Sequence, residues 1–573
     1  MVSLEVNNKQ IKARRGDTLL KALRENGISV PTLCHMPELD ASGACRMCVV
    51  EVEGREFLIP SCAHPVQDGM KVQTHSPRVI QARKTLTELL LANHPDDCLF
   101  CPRNGNCELQ QLSAELNITD RRFPGNKAKS KLDQSCSAMV RDPGKCILCG
   151  RCVRSCEEIV GNATFDFLKR GDKTSIGTCF NKPLNLSSCL LCGQCLLVCP
   201  TASLREKDHV QVVMEAVHNP ELHTVIQIDP SVLITLAEEF GGKAGKDISG
   251  ALTGVLHKLG FNKVFDTGLA HDLLIKETAK ELAQRIEEGK NLPLIMGNCP
   301  SWVKYAEQNL EELFPLFSKL KSPQQLLGNL IKNHYAPKAG ISPANIFTIS
   351  VMPCPARKYE AQREEMMPGD YPEVDAVLTT RELARLIRLN GLDLRQSEAE
   401  PIDTPYDRRS SAGSLQAALG GSAEAVLRTL AHMKDQAELF PVKVNKLRGP
   451  KTRKEFHFEI DGKQVGVAVA GGLHAARQLI AEIRKGRQDI HLVEVMICPG
   501  GCINGGGQPF HKEEDTMPTR LKALHEMDEK EPIRYPDKNI MLKNIYEDFL
   551  QDGFSTTGPN SFHHELKKRT VLL

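Results

Sequence analysis

The sequence predicts a multidomain chain, α+β at its front and α/β through most of the remainder. Three observations predict it. The chain has 573 residues, and at about 150 residues per domain that length suggests roughly four domains. Residues 1–77 alternate apolar and polar positions in short pieces, as half-buried strands do. Residues 209–515 repeat strand-like and helical runs in turn, the pattern of a parallel sheet joined by helical crossovers. Hydrophobic residues make up 41% and charged residues 25%, ordinary for a globular chain long enough to bury a sizeable core.

Within 1–77, the pieces SLEVN, CRMCVVEVEG and REFLIPSC read as strands, with one helix around Thr18–Glu25 opened by an Asp17 cap. Residues 78–125 read as helical, most clearly in IQARKTLTELLLANH, and 126–208 hold two close cysteine runs with little periodicity. In 209–515 the runs TVIQIDP, LPLIMGNCP, NIFTISVMPCP, VGVAVAGG and LVEVMICPGG read as strands. Several end in a cysteine or a glycine-rich loop, where open α/β sheets place their sites. Gln396–Asp407 reads as an exposed loop, and 516–573 as a polar tail with one helix in LKNIYEDFL.

A net charge of +2 argues for neither nucleic acid nor a membrane surface as partner. No run reaches 18 apolar residues, so no transmembrane helix and no membrane insertion is expected. The N-terminus lacks a charged segment followed by an apolar one, so the expected location is cytoplasmic. The 21 cysteines are then unsuited to disulfides, because the cytosol keeps thiols reduced. Metal ligation or catalysis is left.

Their spacing separates these. Cys34, Cys45, Cys48 and Cys62 in a β-rich frame suit a [2Fe–2S] cluster, with structural zinc as the alternative. His94, Cys98, Cys101 and Cys107 suit zinc as well as iron–sulfur taken alone; their place between two iron–sulfur modules favours a [4Fe–4S] cluster. The run Cys146, Cys149, Cys152, Cys156 is followed by Cys189, Cys192, Cys195, Cys199-Pro200, the doubled spacing of bacterial two-cluster ferredoxins, in which each run lends its fourth cysteine to the other cube. Cys146, Cys149, Cys152 and Cys199 thus serve one cube, and Cys189, Cys192, Cys195 and Cys156 the second. Of the remaining six, Cys299, Cys354, Cys498 and Cys502 lie in loops after strands (NCPSW, MPCPARKYE, MICPGGCINGGGQP) and could hold a further [4Fe–4S]. Cys136 and Cys179 read as free thiols.

At these loops residues 1 to about 515 resemble the long, multi-cluster form of [FeFe] hydrogenase. The resemblance implies a β-grasp ferredoxin-like domain (1–77), a one-histidine-three-cysteine domain (78–125), a two-[4Fe–4S] ferredoxin domain (126–208) and an α/β H-cluster domain (209–515), with 516–573 similar to a small-subunit-like tail. It implies that Cys299, Cys354, Cys498 and Cys502 ligate a cube, that Cys502 bridges to a di-iron unit carrying CO and cyanide, and that Pro323, Gln324, Met352, Met496 and Ser231 line the pocket, with Glu360 matching the second loop's glutamate. The segment SAGSLQAALGG resembles the family's SGAGAIFGATGG loop. The implied reaction is reversible reduction of protons to H2.

Against the family's TSCCP, the first loop here reads MGNCP, so Asn298 stands where a proton-delivering cysteine would be. A carboxamide cannot act as a general acid in the way a thiol can. The relay glutamate aligns with Thr278, while the relay serine is kept as Ser318. The second loop's lysine is Arg357, whose planar fork does not replace a compact ammonium; Lys358 beside it would point elsewhere. The alanine before Pro230 is Asp229, a carboxylate that would be repelled near cyanide ligands or would take up a proton.

Two functions compete. One is an H2-active subunit with an unusual proton route. The other is an H2-inactive electron conduit or sensor that keeps the cube but has a lost or altered di-iron site. Either would work beside a flavin-bearing NAD(P)H-oxidising subunit and a small [2Fe–2S] subunit, with ferredoxin or formate dehydrogenase as further partners. No GxGxxG opens a βαβ unit, so nucleotide chemistry belongs to a partner chain.

Overall fold

The computed structural model describes residues 1–120, 122–125, 131–367, 369–434, 447–510, 516–550 and 561–571. The domain boundaries expected after 125 and after 515 border residues 126–130 and 511–515, which lie outside the described residues.

At the front, five strands pair in the order Lys9–Ala13, Val2–Val6, Lys71–Gln73, Val49–Val52, Ile59–Pro60. Their alternation turns Leu4, Val6, Val50 and Val72 onto Leu19, Leu20 and Leu23 of the helix Leu19–Glu25. The expected Asp17 cap is corrected. Thr18 holds the extended backbone of a cap and its hydroxyl accepts from Lys21 N, while Asp17 pairs with the Lys21 ammonium at 2.9 Å; the residue directly before the first turn is the one whose side chain faces the third amide. Helices Pro77–Asn93 and Glu108–Glu115 follow.

The doubled cysteine runs fold alike. Each places a left-handed glycine after its second cysteine (Gly150, φ 76; Gly193, φ 77), and each glycine opens a short helix, Arg151–Arg154 or Gln194–Val198. The strands Met139–Arg141 and Leu204–Glu206 pair antiparallel around them.

Behind stand two four-stranded sheets. One runs Lys263–Asp266, His223–Ile228, Ile346–Met352, Ala376–Thr379, all parallel. The other runs Leu294–Ile295, Leu492–Met496, Lys463–Gly471, Arg453–Ile460, parallel except for its last pair. Their central strands are apolar and buried on both faces, whereas the edge strand Arg453–Ile460 alternates buried and exposed positions.

Two expectations are corrected here. Gln396–Asp407 is not simply an exposed loop: Tyr406 is fully buried edge-on to Phe265 (4.9 Å), and Asp403 accepts from Lys263 and Val264 N. Tyrosine at that position gives the segment an apolar anchor that its charged neighbours conceal. The tail holds a second helix, Thr516–Lys530, before the expected one at Ile540–Asp548. Its low apolar content hides it; it docks through Leu524 and through buried Arg520 and Asp528, which pair with Glu238 and with Arg428 and Arg448. Among the described residues no helix is long and apolar enough to cross a membrane.

Candidate active site

Loops leave the carboxyl ends of the parallel strands, and residues from four of them wall one cavity. Ile228 is followed by Asp229, Ile295 by Asn298 and Cys299, Met352 by Cys354, and Met496 by Ile497 and Cys498. Cys502, His271, Arg357, Gln416 and Ala417 complete the lining. The four cysteines come from three segments spread over about two hundred residues of chain, and all four reach this space.

Glycine explains how the third loop approaches. Gly501 has φ +99, and a Cβ there would lie 2.5 Å from Leu419 N; a Cβ at Gly506 would lie 2.3 Å from Cys192 O and 2.4 Å from Gly193 Cα. The loop carrying Cys502 is therefore in backbone contact with the loop carrying Cys192, and Gln194 donates to Asn504 O at 2.8 Å. A Gly506→Ala change has no flexible atom to push aside. It is expected to cost on the order of 2–3 kcal/mol through overpacking and to lower the iron bound by both loops, measured by iron assay against the parent chain.

Burial pushes the Cys354 thiol up to about 12, and it pushes Cys498 and Cys502 up further, helped by neighbouring thiolates. Thiolates so placed need a cation at the centre of the cavity. Four thiols around one space with glycines at its rim fit a [4Fe–4S] cube.

The other donors are gathered in the same manner. Cys146, Cys149, Cys152 and Cys199 line a second cavity, with the fourth cysteine coming from the other run and lying beside the first three. Cys156 lies among Cys189, Cys192 and Cys195, whose charges each feel its own. In the loops beside the front sheet the free thiols of Cys34 and Cys45 lie within hydrogen-bond reach of each other, as do those of Cys48 and Cys62. Arg151, paired with Glu108 at 2.7 Å, sits between the Cys149 and Cys45 thiols. Buried His94 ends its helix four residues before exposed Cys98, with Cys101 and Cys107 half-buried. Lys145, one residue before Cys146, reaches Asp97 at 2.8 Å and neighbours Cys101. The sets thus follow one another from the front sheet to the cavity. Among the described residues no group of three or more His, Cys, Asp or Glu side chains is placed to hold a single metal ion.

Comparison with known proteins agrees with this arrangement. Residues 222–506 match the family "iron only hydrogenase large subunit, C-terminal domain". Residues 1–77 match a 2Fe-2S iron-sulfur cluster binding domain, 83–122 the NADH-ubiquinone oxidoreductase-G iron-sulfur binding region, and 138–205 the ferredoxin-like domain of NADH-quinone oxidoreductase subunit 3. The chain is 36% identical to the NADP-reducing hydrogenase subunit HndD of Solidesulfovibrio fructosivorans, over 100% of both chains. It is 34% identical to iron hydrogenase 1 of Clostridium pasteurianum, over 99% of this chain and 100% of that one. The chain belongs to the [FeFe] hydrogenase family. A solved structure of [FeFe]-hydrogenase HydA1 from Chlamydomonas reinhardtii superposes with a TM-score of 0.56 at 28% identity, covering 64% of this chain and 100% of that one. This chain is an iron–sulfur, [FeFe]-hydrogenase-type oxidoreductase subunit, with ferredoxin-like modules carrying 2Fe-2S and 4Fe-4S clusters ahead of its hydrogenase domain.

In this [FeFe] hydrogenase homologue the residues around the cavity are bonded to one another. Arg357 donates to Glu360 at 2.7 Å and to Asn298 O at 2.9 Å. Burial opposes its charge, but Glu360 and the Cys354 thiolate outweigh that and raise its pKa. Gln324 meets this pair from behind, donating to Arg357 O and Glu360, and follows Pro323, which opens its helix. Lys358 turns away to Glu382 at 2.8 Å. Met496 lines the cavity, whereas Met352 packs with Ala361, Val374 and Val377. Asn298 donates to Ser422 and Gln416, at 3.2 and 3.4 Å. Thr278 is spent on its own helix, bonding Leu274 O, while Ser318 donates to Glu281 at 2.7 Å. Cys136 is buried near Cys189, and Cys179 is exposed.

Sequence reasoning missed His271, Gln416 and Glu281. His271 sits at the second turn of the helix after the strand Lys263–Asp266, and the strand-end rule that found the cysteines could have found it. Glu281 lies three residues past Thr278, one helical turn along the same face.

Proposed function

We propose that the chain turns over H2 at the four-cysteine cavity and moves electrons through one [2Fe–2S] and three [4Fe–4S] clusters ahead of it. The observation that carries this reading is the convergence of Cys299, Cys354, Cys498 and Cys502 on one cavity whose rim is in backbone contact with the Cys192 loop. Those four residues would hold a cube. Cys502 would join it to a di-iron unit, which when bound supplies the site where H2 is split or formed. Arg357, fixed by Glu360, holds Asn298 and the wall in place, and Ala417, Met496 and Ile497 keep water away. The remaining ligand sets are those assigned from spacing, with His94 completing Cys98, Cys101 and Cys107, and the domains divide at 77, 125, 208 and 515.

HndD is named as a subunit of an NADP-reducing hydrogenase. The front modules here suit the same setting: a cytoplasmic complex with a flavin-bearing NAD(P)H-oxidising subunit and a small [2Fe–2S] subunit. The second reading, an H2-inactive conduit serving ferredoxin or formate dehydrogenase, is favoured by Asn298 and by Thr278, which break the family's relay at two places.

Infrared spectroscopy of the full chain, matured with the hydrogenase assembly proteins, separates the two. We expect bands from iron-bound CO and cyanide together with dye-linked H2 oxidation. Cubane signals in electron paramagnetic resonance with no such bands would leave only the conduit.

A further inference from the structure

A buried cation stands where three ligand sets meet. The short helix Arg151–Arg154 carries Cys152 and reaches both front modules. Arg151 donates to both carboxylate oxygens of Glu108, at 2.7 and 2.9 Å, and Arg154 donates to Asp40 O at 2.7 Å. Glu108 directly follows Cys107, and its amide donates to Pro200 O, directly after Cys199, at 3.0 Å. The main chain thus ties the His94 set to the set of Cys146, Cys149, Cys152 and Cys199, and the Glu108 side chain meets Arg151 from that tie. Arg151 is 8% exposed, while the Glu108 side chain is 42% exposed. Burial opposes the Arg151 charge; Glu108 and the thiolates of Cys149 and Cys45 outweigh it. Those two cysteines belong to different sets, Cys45 to the front one. Arg151 Nε is buried and has no hydrogen-bond partner among the described residues. An orphan donor in the interior calls for an explanation. Cluster sulfur accepts such donors, and hydrogen bonds to it are one of the means by which a protein sets a cluster's potential.

We propose that Arg151 sets the reduction potentials of the two clusters it lies between, held by Cys34, Cys45, Cys48 and Cys62 and by Cys146, Cys149, Cys152 and Cys199, and that Glu108 positions it there. This rests on the cluster assignment above and holds for an H2-active chain and for a conduit alike. A cluster with four thiolates is anionic, and each one-electron reduction adds one negative charge. A cation beside it stabilises the reduced form more than the oxidised one. The guanidinium keeps its charge throughout, so no proton accompanies the electron. The electron that one set takes up leaves again when that set is reoxidised and its neighbour reduced. The Arg151 charge acts on both sides of that exchange, and burial keeps it largely unscreened by salt. Glu108 works against it, but weakly, since water reaches its carboxylate. The arrangement fixes the sign of two substitutions. Removing the cation makes both clusters harder to reduce, and removing the anion makes both easier to reduce. A clasp that only holds the modules together would move the potentials the same way in both cases, since either substitution weakens it.

The test is a redox titration of the anaerobically purified full chain, followed by electron paramagnetic resonance at temperatures that separate the [2Fe–2S] signal from the cubane signals. Arg151→Gln is expected to lower the midpoint of the [2Fe–2S] signal and of one cubane signal. The reduced-to-oxidised ratio at a fixed potential should fall by about tenfold or more, which is about 59 mV for one electron. Glu108→Gln should raise both midpoints, by about threefold or more in the same ratio. Arg151→Lys keeps the charge and should hold both within about threefold of the parent. Iron content should equal the parent's in all three. Midpoints unmoved in Arg151→Gln, midpoints shifted the same way in Arg151→Gln and Glu108→Gln, or midpoints as low in Arg151→Lys as in Arg151→Gln overturn the inference and leave the clusters standing. A parent with no [2Fe–2S] signal overturns the cluster assignment and the inference with it. Should Arg151→Gln lose iron, Glu108→Gln decides: raised midpoints support the inference, and unmoved or lowered ones overturn it.

Discussion

A Cys498→Ala chain is expected to bind about four fewer iron atoms than the parent and to show no H2 turnover, while the signals of its front clusters persist. Cys498 follows the strand Leu492–Met496 by two residues and lies in the apolar wall between Ile497 and the glycine loop. No other described thiol is placed to replace it. Cys192, whose charge raises the Cys498 pKa, lies among the Cys156, Cys189 and Cys195 thiols instead. Iron assay and electron paramagnetic resonance on anaerobically purified protein check the result. Iron equal to the parent's would show that Cys498 is not a ligand.

The second large effect is on stability. Lys321 and Glu373 are 1% and 2% exposed and pair at 2.5 Å, with Asn329 donating to the same carboxylate oxygen at 2.8 Å. Burial pushes the Glu373 carboxyl up to about 7 although Lys321 and Asn329 oppose it. The pair therefore carries a large desolvation cost that is met only while both partners remain. Lys321→Met leaves Glu373 buried beside Asn329 alone. The expected loss is about 3–5 kcal/mol, on the order of 10 °C in the melting of the hydrogenase domain. It should be smaller at pH 5, where the stranded carboxyl can be neutral, than at pH 8. Thermal denaturation followed by circular dichroism at the two pH values tests this, and a loss equal at both would contradict the charge explanation.

The sequence disclosed which cysteines meet in space far better than what surrounds them. Cysteine spacing is a local property, and the segments that set it, such as Cys146 to Cys156, fold as local units. The strand-then-cysteine pattern likewise placed Cys299, Cys354 and Cys498 at sheet ends. The contacts of the wall are non-local: Asp229 meets His271 across 42 residues and Asn298 meets Gln416 across 118, and no spacing rule connects them. Asp229 was legible as an intruding carboxylate. Its partner was not, because a histidine inside FDTGLAHDLLIKET looks like any residue of a mostly buried helix. The helix Thr516–Lys530 escaped for a related reason: buried Arg520 and Asp528 stand in ion pairs among the Leu521, Leu524 and Met527 contacts, and these charges obscure the apolar pattern.

The abutting glycines bear on how far such proteins can be recombined. HydA1 of Chlamydomonas reinhardtii is matched over its whole length by 64% of this chain. Here Gly193 of the front portion packs on Pro355 and Gly506 of the rear, with no room for a single methyl. A chimera that grafts a foreign two-cysteine-run module onto this rear portion must bring a glycine at the position of Gly193, or the two portions cannot close to the same distance.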